Sequence, residues 1–156
     1  MGYVLVKDAS IFNVPEAHAR AICEEMIDRK LKSEWGVWLT PENLTRDFLV
    51  LLREAGCRHI GFSPDAVSDE GLRVFNKTCT ARDLENSLKL ARQVKGIAVG
   101  FNFFCAYPGM TFKDAIKTLM FYFKVPILLP GRGGGGLGWI RVEPHTDVYR
   151  TAVTQG

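Results

Sequence analysis

The sequence predicts an α/β fold in which parallel strands alternate with helices along the whole chain. Three observations predict it. Short β-rich runs recur, segments with apolar residues spaced three and four apart fill the intervals, and several of those segments open on a capping pattern or close on glycine. Alternation of this kind argues for right-handed crossovers between parallel strands, in an open doubly wound sheet or in part of a β/α barrel.

The elements follow in order. Residues 3–7 (YVLVK) and 35–39 (WGVWL) read as strands, and between them Ala19, Ile22, Cys23, Met26, Ile27 and Leu31 form the stripe of an amphipathic helix. Cys23 lies inside that stripe and reads as packing. Thr40 followed by Pro41 reads as an N-cap with proline at the first helical position. Leu44, Phe48, Leu51, Leu52 and Ala55 would then be the buried stripe, and Gly56 the stop. A strand over 58–63 and a short helical piece over 71–75 come next. Thr80 with Asp83 predicts a capping box that opens a helix bearing Leu84, Leu88 and Ala91, closed by Gly96. After a strand over 97–105, Thr111 with Asp114 repeats the cap. That helix carries Phe112, Ile116, Leu119, Met120 and Phe123, and Pro126 should stop it.

Composition bounds the function. At 156 residues, 47% hydrophobic and 24% charged, the chain is sized for one domain, 1–156, with a core that needs no disulfide. Twenty basic against seventeen acidic residues leave a net charge of +3, so a nucleic-acid partner is not indicated. The longest uncharged stretch, 96–112, carries Asn102, Pro108 and several glycines, and it is shorter than the ~20 apolar residues of a membrane helix. The first residues show no signal-peptide pattern, which makes the cytoplasm the expected compartment. Cys23, Cys57, Cys79 and Cys105 lie far apart and match no zinc, redox or iron–sulfur spacing; they read as reduced thiols.

Ligands of such folds bind at the carboxyl ends of the strands, where βα loops and helix amino termini converge. The residues there are Asp8, Thr40, Ser63, Asp65 and the segment 102–108, a polar set without a paired nucleophile and base. Residues 131–138 (GRGGGGLG) are the most unusual run. They read as a surface loop or, less strongly, as a phosphate nest without the Lys-Ser/Thr ending of a P-loop. His18, His59 and His145 are scattered without ligand spacing. Trp35, Trp38 and Trp139 read as core aromatics of strands.

The stretch 60–80 (IGFSPDAVSDEGLRVFNKTCT) resembles the radical S-adenosylmethionine (SAM) superfamily, above all its cobalamin-dependent and methylthiotransferase-like members. In that pattern a strand ends in a Gly-hydrophobic-Glu-Ser-Gly-Ser run and leads through Asp-Glu-x-Leu to Asn-Lys-x-x-Thr. Ser68, Asp69, Glu70, Leu72, Asn76, Lys77 and Thr80 stand in place. Residues 105–115 (CAYPGMTFKDA) are similar to the family's Gly-x-Pro-Gly-Glu-Thr turn, and 142–152 (VEPHTDVYRTA) to its closing Pro-Gly-Thr-x-Leu-Tyr segment. The resemblance implies a partial (β/α) barrel of parallel strands with outer helices, running from the family's second strand to its sixth.

It also implies cofactors: SAM and a [4Fe–4S] cluster in the parent enzyme, with cobalamin a further candidate. Departures limit this. The Cys-x-x-x-Cys-x-x-Cys loop that holds the cluster is absent, Asp65 replaces the usual Glu, and Ala66, Val67, Ala106 and Met110 replace other motif residues. The expectation is therefore a carboxyl-terminal part or a degenerate relative of a radical SAM enzyme, inactive alone, with Asp8, Ser63, Asp65 and Asn102 as the residues left to touch SAM. Methyl transfer is the activity expected of the longer parent. Two alternatives stand beside it: a noncatalytic module that binds a partner, or another copy of itself, through the barrel edge at 3–7, and a phosphate binder that uses 131–138.

Overall fold

The computed structural model describes residues 3–5 and 11–155. Its strands are β1 (Tyr3–Leu5), β2 (Glu34–Leu39), β3 (Cys57–Asp65), β4 (Ala98–Phe104) and β5 (Gly133–Gly138), all parallel and ordered in the sheet as in the chain. The helices are α1 (Glu16–Asp28), α2 (Arg46–Glu54), α3 (Asp69–Val74), α4 (Ala81–Gln93), α5 (Phe112–Leu128) and α6 (Asp147–Gln155). Sequential order in a parallel sheet, with every crossover of one hand, puts the connecting helices on one face. This is the singly wound arrangement of a partial β/α barrel, and the doubly wound alternative is excluded.

Both capping boxes form. The Thr80 and Thr111 side chains accept from the backbone amides of Asp83 and Asp114, whose carboxylates accept in return from the cap amides. The second helix begins later than its Thr-Pro pair predicts. Thr45 is the cap of α2, accepting from Phe48 N at 3.2 Å, because Asn13 holds Thr40 at the end of β2. Pro126 does not stop α5, which continues to Leu128; so near the carboxyl end a proline forfeits little of the hydrogen-bond ladder.

The largest correction concerns the glycine run. Residues 133–138 are neither a loop nor a nest but β5, paired with β4 from Val99–Gly133 through Phe104–Gly138. The ladder commits their backbone groups to a neighbouring strand, so the phosphate reading falls with the loop. Arg132 fastens the start of this strand: its guanidinium donates to the carbonyls of Ala91, Val94 and Ile97 at 2.8, 3.3 and 3.1 Å, at the end of α4. Trp139, one residue beyond β5, is exposed and not core.

The core lies on the helix-covered face. Val37, Leu39, Ile60, Phe62, Val99, Phe101 and Phe103 are buried there against Phe48, Leu52, Leu84, Leu88 and Phe121. Phe62 and Phe101 stack at 4.9 Å, and Phe121 meets Phe101 edge-on at 5.3 Å. Cys23 is buried in this core as its stripe predicts. The opposite, concave face carries Gly36, Trp38, Gly61, Gly100, Asn102 and Gly134 in alternation with the buried set. Among the described residues no helix is long and apolar enough to cross a membrane.

Candidate functional site

The carboxyl ends of β2 and β3 carry the densest polar constellation. β3 runs two residues further than predicted, to Asp65, through a register irregularity between Phe62 and Asp65 opposite β4. Asp65 follows buried Pro64 and takes a left-handed backbone (φ 68°), an uncommon state for a residue with a Cβ. Its carboxylate meets the Lys77 ammonium at 2.7 Å, and the same ammonium donates to the Ser63 carbonyl at 2.9 Å. Capping is left to Ser68, which accepts from Gly71 N and begins α3. Asp65 is thus free of a helix-capping duty.

Ser63 and Asn102 each follow a residue of the paired Phe62 and Phe101 on adjacent strands, just where the register of β3 on β4 breaks. Ser63 is exposed; Asn102 is half-buried, with its side chain over Gly136. The structure therefore brings Ser63, Asp65 and Asn102 to one end of the sheet. Asp8 lies outside the described residues. Asn13, which the sequence reading passed over, is buried and clamps Thr40 in both directions, donating to its carbonyl at 3.0 Å and accepting from its amide at 2.8 Å. Lys77 was legible only as a motif letter.

The β4–α5 connection is held by a second polar network. Ser68 is hydrogen-bonded to both Tyr107 and Asp114, and Asp114 also accepts from Thr111 Oγ1 at 2.6 Å. Burial pushes the Tyr107 phenol above its ordinary value, and the hydrogen bonds from Thr111 and then Ser68 hold the Asp114 carboxyl below its own. This network ties the amino ends of α3 and α5 together beside β3. Only glycine fits at 71, because a Cβ there would lie 2.2 Å from the Tyr107 hydroxyl.

Toward the amino ends, the concave face holds a cavity of about 620 Å³. Gly61, Gly100 and Gly134 stand side by side in register and form a floor without side chains, beside which Trp38 lies across Gly61. Trp38 was expected in the core and instead forms a wall of this space.

The cysteines do not fit an iron–sulfur cluster. Cys23 and Cys57 are fully buried in α1 and at the start of β3, Cys79 is buried between α3 and α4, and Cys105 follows β4. Burial pushes the Cys57 thiol up to about 12 and those of Cys23 and Cys79 up to about 11, the reverse of what thiolate ligation requires. Among the described residues no group of three His, Cys, Asp or Glu could hold a metal ion.

Comparison with known proteins agrees with the fold. Residues 14–122 match the profile of the family described as the Radical SAM superfamily. A stretch of 75 residues is 36% identical to an anaerobic magnesium-protoporphyrin IX monomethyl ester cyclase of Cereibacter sphaeroides, covering 46% of this chain and 12% of that protein. Another, of 94 residues, is 28% identical to the heme chaperone HemW of Bacillus subtilis, covering 57% of this chain and 25% of HemW. Among solved structures, the radical SAM methyltransferase TsrM of Kitasatospora setae, with cobalamin and a [4Fe–4S] cluster bound, superposes with a TM-score of 0.69 at 23% identity. That match covers 94% of this chain and 27% of TsrM. The chain thus spans a quarter or less of the length of the curated relatives it matches.

Proposed function

The chain belongs to the radical SAM superfamily, and from that membership we propose that it supplies the carboxyl-end SAM wall of a larger radical SAM enzyme and is inactive by itself. The observation that carries this is the convergence of Ser63, Asp65 and Asn102 at the ends of β3 and β4. A carboxylate, a hydroxyl and an amide at one end of the sheet can accept from and donate to an amino group and ribose hydroxyls. Asp8 is the fourth member proposed for this set.

The superfamily's chemistry draws on SAM and a [4Fe–4S] cluster, and the cluster ligands must come from outside this set of cysteines. Methyl transfer assisted by cobalamin, as the TsrM structure suggests, is the corresponding proposal for the complete enzyme. Without a cluster, affinity for SAM rests on two or three charge-assisted hydrogen bonds of ~1.5–3 kcal/mol each, offset by the cost of immobilising the ligand. Millimolar binding is expected. Titration of SAM into isotopically labelled protein, followed by NMR, should shift signals of Ser63, Asp65 and Asn102, and Asp65→Ala should weaken the response. Shifts confined to β5 would refute the assignment.

A second reading has its own observation. Phe112, Met120, Phe123 and Ile127 form an exposed apolar stripe along α5. That stripe favours a module that docks on another polypeptide, and self-association through the β1 edge belongs to the same reading. Light scattering at micromolar concentration that shows a monomer would count against it.

A further inference from the structure

Gly100 and Gly134 are glycines that the fold itself does not require. Gly61 is required, because a Cβ there would strike the Trp38 ring at 2.4 Å, and so are Gly133 and Gly135, where one would lie 2.6 Å from the Leu129 side chain and 1.9 Å from the Phe101 carbonyl oxygen. At Gly134 a Cβ would meet nothing within 4 Å, and at Gly100 only the Gly134 carbonyl at 4.0 Å. Neither residue takes a positive φ. Glycine inside a strand weakens it, and where neither packing nor conformation calls for one it marks a surface that something else approaches closely. The two are register partners on β4 and β5, and with Ala98 they leave bare backbone as the floor of the trough of about 620 Å³ toward the amino ends of the strands. Strands about 4.8 Å apart, with residues of one face about 6.6 Å apart along each, give this floor the span of a fused ring pair. Trp38, lying across Gly61, and His59 line its other side.

We propose that this trough is a binding site for a small, flat, uncharged aromatic molecule that lies on the Gly100–Gly134 backbone with one edge toward Trp38. The volume falls in the range of roughly 300–1,000 Å³ that small-molecule sites occupy. Flatness follows from the floor: a planar ring keeps its whole face against bare peptide planes, whereas a puckered saturated ring touches them at a few atoms and forfeits most of the dispersion contact. Trp38 adds an aromatic neighbour for the ring's edge or face. Neutrality follows from the lining, which holds no carboxylate. Its guanidinium, on Arg132, is already committed to the carbonyls of Ala91, Val94 and Ile97, so an ionised ligand would give up water for no matching partner. The site lies away from the carboxyl ends of the strands and does not depend on how SAM is held.

The test titrates the full, isotopically labelled chain with coumarin, a flat neutral fused ring pair, and with octahydrocoumarin, its puckered saturated counterpart, and follows both by NMR. Coumarin should shift the Trp38 indole signal and the Gly100 and Gly134 amides, and should bind more tightly than octahydrocoumarin. Gly134→Ala and Gly100→Ala each raise a methyl from the floor and should weaken coumarin binding by roughly tenfold or more, the effect of one methyl group in an apolar pocket. Thermal unfolding of the two variants at or above the parent's temperature shows that the loss is not misfolding, since neither methyl meets a clash. Coumarin that binds no better than octahydrocoumarin, that shifts signals only at the carboxyl ends of the strands, or that binds both variants like the parent overturns the proposal. So do Gly100 and Gly134 amide signals that move with protein concentration in the absence of coumarin, because a second copy of the chain would then be what the bare floor receives.

Discussion

The two faces of one sheet are built on opposite rules. On the helix-covered face, Val37, Leu39, Ile60, Phe62, Val99, Phe101 and Phe103 are buried, and rings interlock across strands. On the concave face the same strands present Gly36, Gly61, Gly100 and Gly134, with Trp38 lying over one of them and open space over others. Parallel strands are ordinarily buried on both sides. Here stability is concentrated on one face, and the other is left open below the polar residues at the carboxyl ends of its strands. Single substitutions on alternate residues should therefore behave as if made in two different proteins.

The largest contrast is expected at Phe101. It is fully buried and contacts the rings of Phe62, Phe103 and Phe121, so Phe101→Ala should cost about 3–5 kcal/mol in unfolding free energy. Denaturant unfolding measures it. A cost under about 1 kcal/mol would mean that the helix-covered face is not the core.

Gly135→Ala comes next, because it attacks the sheet itself. A Cβ at 135 would lie 1.9 Å from the Phe101 carbonyl oxygen, a backbone atom that can move only by parting β4 from β5. Loss of β5 pairing should appear as rapid amide hydrogen exchange across 133–138, while β3 remains protected. Unchanged protection would show that the register of β5 on β4 is wrong.

That strand also marks where the sequence stopped being informative. Capping boxes at Thr80 and Thr111 and the stripes of α2 and α4 were legible because helix signals are local: a cap, a period, a stop. The approximate ends of β3 and β4, and with them the candidates Ser63, Asp65 and Asn102, followed from those helices, although β3 runs on to Asp65 through an irregularity the sequence did not signal. A run such as GGGGLG has no side chain to declare a strand, and only its pairing with β4 and the Arg132 anchor at the end of α4 make it one. The Thr40-Pro41 pair failed for the converse reason: the local cap signal was overridden by Asn13, remote in sequence, which clamps Thr40. Lys77 escaped the site reading because an ion pair between β3 and the α3–α4 segment has no sequence period.

A smaller effect should separate the loop network from both faces. The folded-state pKa of Asp114 is lowered by Thr111 and Ser68, so its contribution to stability is complete above the unfolded value of about 3.9 and is lost as pH falls through the lower folded value. Thr111→Ala should cost about 1 kcal/mol at neutral pH and should flatten the acid limb of the stability curve. A variant whose acid limb matches the parent's would remove Asp114 from that account.

The smallest effect is the sharpest test of the comparison, because it sits one residue from a large one. At Gly134 a Cβ would meet nothing within 4 Å, whereas at Gly135 it strikes backbone. Alanine at 134 restricts the unfolded chain and suits a strand better than glycine, effects worth about 0.4–1 kcal/mol in favour of folding where no clash opposes them. Gly134→Ala should therefore leave stability unchanged or raise it slightly, as should Gly100→Ala, whose new methyl would approach only the Gly134 carbonyl at 4.0 Å. Thermal unfolding of the two variants beside Gly135→Ala reads the difference directly. If Gly134→Ala destabilises the protein by more than about 1 kcal/mol, something already fills the concave face, and the open trough beside Trp38 does not exist in solution.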